Sequence, residues 1–218
     1  MRFGIVYGET ESSPVITQTH LNDSPEDKAE TIGTPLPQTE VKIADPVTGE
    51  TLPVGEVGEI CTRGYLVMRG YHDMAEETAA AIDADGWLHT GDLGAMDARG
   101  YFTVTGRLKD MIIRGGENVY PREIEEALFA HPGVADAAVF GLPDEKWGET
   151  VAAAVRPANP DEPPSEEELF AYLRERLAPN KTPTTWMFVD EFPVTASGKI
   201  QKYVLRERLV ASGPAAAR

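Results

Sequence analysis

A chain of 218 residues can bury one sizeable core or two modest ones, and 41% hydrophobic with 26% charged residues is a globular composition. A net charge of -16, carried by carboxylates spread along the chain, repels phosphate backbones and argues against nucleic acid as a partner, and no apolar run is long enough for a transmembrane segment. The single cysteine, Cys61, excludes an intrachain disulfide and a cysteine cluster for zinc; within GEICTRG it reads as a buried strand residue.

The opening MRFGIVYG lacks the pattern of a secretory leader, so the expected location is cytoplasmic. Phe3, Ile5 and Val6 make an apolar strand that runs into YGETESSP (7–14), small, hydroxylated and acidic residues of the kind that hold ligands at strand ends. The same residues also read as a capped helix start, with Thr10 or Ser12 as N-cap. Residues 21–30 read as a polar surface loop. The runs TEVKIAD, VGEICTRG and YLVMRGY, with Gly and Pro between them, read as strands of a small antiparallel barrel or sheet. Residues 73–82 read as a helix, with Asp73 as N-cap and Glu76 completing a capping box.

In DGWLHTGDLGAMDARGYFTVTGR, Asp85-Gly86 and Arg99-Gly100 are turn dipeptides between short strands. Asp92, beside Gly91, either points a carboxylate into a cleft or is a turn residue. Arg107 and Lys109 of GRLKD offer donors for hydroxyls or phosphates, or make a charged turn. Gly115 and Gly116, ahead of Glu117, permit close backbone approach to a ligand or simply form a turn. Pro121 suits a first helical position, and Ile124, Ala127 and Leu128 form an apolar face ending before Pro132. VADAAVFGL and TVAAAVRP read as strands. Ser165 with Glu168 opens a helix whose apolar face is Leu169, Tyr172, Leu173 and Leu177. TTWMFVDEF is a strand, residues 203–210 a last helix, and ASGPAAAR a disordered tail. Residues 111–210 therefore form a compact α+β unit. Lys199, in a loop of small residues, could reach an anionic phosphate or carboxylate, or stand solvated on the surface. Glu11 alone does not make a magnesium site, and His20, His72, His89 and His131 show no ligand spacing.

Four segments, YGETE (7–11), GWLHTGDLG (86–94), GYFTVTGRLKDMIIRGGENVYPREIEE (100–126) and PVTASGKIQK (193–202), together closely resemble the adenylate-forming superfamily of acyl-CoA synthetases, peptide-synthetase adenylation domains and luciferases. GGENVYPREIEE with GLPDEKWGE resembles the AMP-forming fatty-acyl-CoA synthetase branch. The resemblance implies an α+β fold. Residues 1–109 would be the end of a large AMP-binding domain with a barrel-like antiparallel subdomain, 110–210 a mobile C-terminal domain, and 211–218 a disordered tail. It implies ATP or AMP, Mg2+ and coenzyme A as cofactors and co-substrates, with a fatty or other carboxylic acid as substrate. Residue by residue, Tyr7 would stack near adenine, Thr10 contact phosphate and Glu11 help hold magnesium. Asp92 and Arg107 would bind the ribose, and Asp110 would be the hinge. Lys199 would bridge the carboxylate and the α-phosphate, and Gly115, Gly116 and Glu117 would line the pantetheine path.

The family's Ser/Thr/Gly-rich phosphate loop and most of its acyl pocket precede the YGETE motif and are not among these residues. Little adenylation is therefore expected of the chain alone. Its expected partner is the remaining large-domain portion or a second copy of itself. A non-enzymatic shortened paralogue or split subunit is the alternative. A peptide-synthetase adenylation domain is disfavoured, because no carrier segment follows residue 210.

Overall fold

Glycine and proline punctuation cuts the chain into short strands, and the computed structural model, which describes residues 3–196 and 198–212, gathers them into two compact units, Met1–Lys109 and Asp110–Arg218. In the first unit, β1 (Val6–Tyr7), β2 (Thr17–Gln18) and β3 (Thr34–Pro35) form a three-stranded antiparallel sheet, with α1 (Pro25–Glu30) between β2 and β3. A second antiparallel sheet follows in chain order: β4 (Thr39–Ala44), β5 (Gly58–Gly64), β6 (Leu88–Met96) and β7 (Phe102–Arg107), with α2 (Ala75–Ala81) between β5 and β6. Ile43, Ile60 and Phe102 are the buried centre of this unit. The expected barrel is an open four-stranded sheet among the described residues.

Several local expectations need correction. Residues 21–30 are not all loop: Ser24 accepts the Asp27 amide at 3.0 Å and caps α1, with Pro25 at its first position. YLVMRGY is a run of turns, and Tyr65 is exposed while Leu66 is buried. Asp73 does not cap α2. It sits at φ 53°, and Met74 is the N-cap.

The second unit comprises β8 (Ile112–Arg114), β9 (Glu117–Val119), α3 (Pro121–Phe129), β10 (Val134–Asp144), β11 (Gly148–Pro157), α4 (Glu166–Arg174), β12 (Thr185–Phe188) and α5 (Lys202–Ser212). Its sheet has the order β10-β11-β8-β9, and β12 pairs in parallel with β11. The long apolar runs of β10 and β11 are buried on both faces because side chains alternate across a strand. Ala137, Val139, Val151 and Ala153 pack with Ile124 and Leu128 of α3 and with Leu169 and Leu173 of α4. Ala138, Phe140, Ala152 and Ala154 pack with Leu205 and Leu209 of α5. Ser165 accepts the Glu168 amide at 3.1 Å and starts α4, as its sequence pattern indicates.

The helix α5 continues through Ser212, into the segment read as a tail, and residues 213–218 lie outside the described residues. No helix among the described residues is long and apolar enough to cross a membrane. Leu173→Ala removes a fully buried side chain and is expected to cost about 2–5 kcal/mol. Phe170→Ala, at a half-exposed position of the same helix, should stay within about 0.5 kcal/mol, with urea denaturation as the comparison.

Candidate functional site

The strands β5 and β6 do not run in even register. Glu59 lies opposite Leu93 and Cys61 opposite His89, so Thr90, Gly91 and Asp92 face Ile60 alone and bulge out of the ladder. Gly91 turns the bulge at φ 69°, a left-handed conformation that glycine adopts without a steric cost. Its amide donates to Glu59 Oε1 at 3.0 Å instead of to a strand carbonyl. Glu59 is buried, and its other carboxylate oxygen lies 2.7 Å from His89 Nδ1. The Thr90 hydroxyl donates to the Ile60 carbonyl at 2.7 Å and accepts the Asp92 amide at 3.1 Å. Side chains thus satisfy the backbone groups that the bulge removes from the sheet.

The bulge places Asp92 at a cleft of about 340 Å³ lined by Glu9, Thr90, Gly91, Asp92, Arg107, Leu108 and Lys109. Asp92 and Arg107 are cross-strand partners, and Arg107 Nε lies 3.2 Å from Asp92 Oδ1. The Tyr7 hydroxyl donates to Asp92 Oδ2 at 2.9 Å. Burial, reinforced by the Asp92 charge, pushes the Tyr7 phenol well above its usual range, so it remains a donor. The structure therefore brings together Tyr7, Asp92 and Arg107, three of the residues singled out by sequence.

Beside them, a 3-10 helix over Thr10–Ser12 is capped by Glu9 and not by Thr10 or Ser12 as expected. The buried Ser12 hydroxyl accepts the Glu9 amide at 3.0 Å and donates to the Glu9 carbonyl at 2.9 Å, and Thr10 is exposed. Glu11 Oε1 accepts the Tyr71 hydroxyl at 2.9 Å. The Glu9 carboxyl is pushed up to about 7, by burial first and then by Glu11 and Asp92. This is a carboxylate short of positive charge, and the oxygen donors of Glu9 and Glu11 are those a hard cation such as magnesium takes. Sequence reasoning missed Glu9 and Glu59. The signal for Glu59 was a charged residue inside the apolar run of β5.

The other sequence candidates belong to the second unit. Asp110 is its first residue and ends a 3-10 helix over Leu108–Asp110. Arg114 pairs with Glu117 across Gly115 and Gly116, at φ 62° and 86°, which makes a two-residue hairpin turn of the type that needs positive φ twice. The Gly115 amide donates to the Trp147 carbonyl at 2.7 Å, and a Cβ on Gly115 would meet the Trp147 ring at 2.8 Å. Asn180 ties both sides of the hairpin: its carbonyl accepts from Arg114 Nη1 at 2.7 Å and its side-chain amide donates to Glu117. Lys199 is exposed in a loop closed by the Thr195 amide, which donates to the Lys199 carbonyl at 2.8 Å.

Residues 1–72 match the family model described as AMP-binding enzyme, and residues 123–199 match that of the AMP-binding enzyme C-terminal domain, together more than half of the chain. The Bacillus subtilis (strain 168) protein YngI is 54% identical over 94% of the chain and 37% of its own length. Medium-chain acyl-CoA ligase ACSF2, mitochondrial, of Danio rerio is 46% identical over 94% of the chain and 34% of its own length. The chain thus spans about a third of the length of these curated relatives. Among solved structures, o-succinylbenzoate CoA synthetase (MenE) of Bacillus subtilis, in complex with the acyl-adenylate intermediate OSB-AMP, matches with a TM-score of 0.82 at 37% identity, over 94% of this chain and 41% of that one.

The bulge makes a stability prediction. Gly91→Ala should cost about 1–2 kcal/mol through backbone conformation alone, since a Cβ there meets no atom within 4 Å. Gly94→Ala, whose Cβ would lie 2.1 Å from the Thr103 carbonyl oxygen, should cost more, and urea midpoints of the two variants decide the order.

Proposed function

Since the chain belongs to the AMP-binding enzyme family, we propose that it carries the ribose-binding end of the large domain and the C-terminal domain of an AMP-forming acyl-CoA synthetase. In that reaction a carboxylate attacks the α-phosphorus of ATP, giving acyl-AMP and pyrophosphate. The coenzyme A thiol then attacks the acyl carbon and releases AMP. The observation that carries the reading is Asp92, presented at the cleft with Tyr7 and Arg107 fixed against it.

Its two oxygens would accept from vicinal ribose hydroxyls, with Arg107 as a second ribose contact and the Tyr7 ring toward adenine. Thr10 would contact phosphate. Glu11, with Glu9 beside it, would hold Mg2+, which supplies positive charge to the polyphosphate when bound. In the second unit, Lys199 would offset the charge that gathers between carboxylate and α-phosphate during adenylation. Gly115, Gly116 and Glu117 would line the pantetheine path, and Asp110 would be the hinge between the two half-reactions. Residues of the phosphate loop and most of the acyl pocket are not among these 218, so the chain alone should adenylate poorly. A cytoplasmic location belongs to the same proposal.

The second reading is a split or non-enzymatic subunit, in which Phe3 and Val6, both more than half exposed, would meet the remaining large-domain portion on another chain.

Calorimetry with AMP tests the first reading. The wild-type chain should bind, and Asp92→Ala should weaken binding by at least about tenfold, roughly 1.4 kcal/mol. Lys199→Ala, which removes a proposed α-phosphate contact and no ribose contact, should weaken AMP binding less than Asp92→Ala does. Equal binding by wild type and Asp92→Ala would contradict the ribose assignment, and no AMP binding together with a dimer by light scattering would favour the second reading.

A further inference from the structure

Three metal-ligand chemistries meet where β5 lies against β6. Cys61 Sγ is 3.6 Å from His89 Nδ1, Glu59 Oε2 is 2.7 Å from the same nitrogen, and all three ligand atoms fall within 4.8 Å of one another. Glu59 and Cys61 are buried, and the His89 side chain, 28% exposed, leaves a path to solvent. Sequence spacing hides the group because Cys61 and His89 are cross-strand partners 28 residues apart, and Glu59 joins them from two positions back on β5.

Ordinary zinc–sulfur and zinc–nitrogen lengths in a tetrahedral site separate the two ligand atoms by roughly 3.6 Å, which is the spacing of the thiol and the imidazole here. The carboxylate oxygen is closer because a hydrogen bond draws it to the ring; a metal taking that place needs it roughly 0.6 Å further out. Across the ring, Asp83 Oδ2 lies 3.7 Å from His89 Nε2, beyond hydrogen-bond length but within ion-pair reach, so a small side-chain movement would make it the outer carboxylate that orients a metal-binding imidazole. Lys42 is a cation within electrostatic reach of Cys61, but Glu59 and Asp83 outweigh it. Without added positive charge, burial and then Glu59 push the thiol up to about 12.

We propose that Glu59, Cys61 and His89 form a site for a borderline-soft divalent cation of the zinc class, with its fourth position open to water. Binding releases the thiol proton to solvent, and the neutral imidazole then carries its ring proton on Nε2, the side that faces Asp83. The site does not depend on the nucleotide reading.

Cobalt(II) titration of the metal-stripped chain tests this. Because Cys61 is the single cysteine, any thiolate-to-cobalt charge-transfer absorption reports on it alone. A band saturating at one equivalent and displaced by zinc but not magnesium is expected. Cys61→Ser should abolish the band, and Asp83→Asn, a change outside the buried core, should weaken cobalt affinity about 10–100-fold with an unchanged circular dichroism spectrum. Absence of the band in the wild type, or a band of wild-type affinity in both Asp83→Asn and His89→Gln, would overturn the proposal.

Discussion

The hydrogen bond from the Gly91 amide to the Glu59 carboxylate is the interaction on which the first unit's cleft depends. A buried carboxylate is costly unless donors meet it, and a bulged amide is costly unless an acceptor meets it. Each solves the other's problem. Thr90 completes the arrangement by bonding the Ile60 carbonyl and the Asp92 amide. With the bulge fixed, Asp92 leaves the pairing with β5 but keeps its place opposite Arg107 on β7, where Tyr7 also reaches it. The carboxylate is therefore oriented by neighbours on two other segments of the first unit, β1 and β7, before any ligand arrives.

The second unit achieves rigidity by other means. Its two long strands are apolar on both sides, so helices cover both faces and leave the β8–β9 hairpin at one margin of the sheet. That hairpin is pinned by Trp147 against Gly115 and by Asn180 against Arg114 and Glu117. The loop carrying Lys199 is instead exposed. A rigid glycine turn and a reachable lysine suit the two different tasks proposed for them.

Much of this architecture was legible in the residues because local signals and burial agreed. Pro121 with Ile124 and Leu128, and Ser165 with Leu169 and Leu173, each combine a start signal with an apolar face, and both helices form where those signals place them. Failures came where tertiary contacts overrode or replaced such patterns. The helix α1 buries no side chain, so it has no apolar period to read, only the Ser24–Pro25 cap. Asp73 looked like a cap, but Thr78 accepts the Tyr71 amide and donates to the Met74 carbonyl, which fixes the turn one residue later. At the site, Tyr7, Asp92 and Arg107 stood in recognisable motifs. Glu59 and the Cys61–His89 pairing did not, because strand register is a long-range property that spacing along one chain does not encode.

Amide hydrogen exchange at Gly91 tests the central constraint directly. The account predicts a protected Gly91 amide in the wild type, with protection kept in Glu59→Gln, whose side-chain oxygen still accepts, and lost in Glu59→Ala while α3 and β10 stay protected. A Gly91 amide that exchanges at the rate of an exposed loop in the wild type, or that is equally protected in Glu59→Ala, would contradict it.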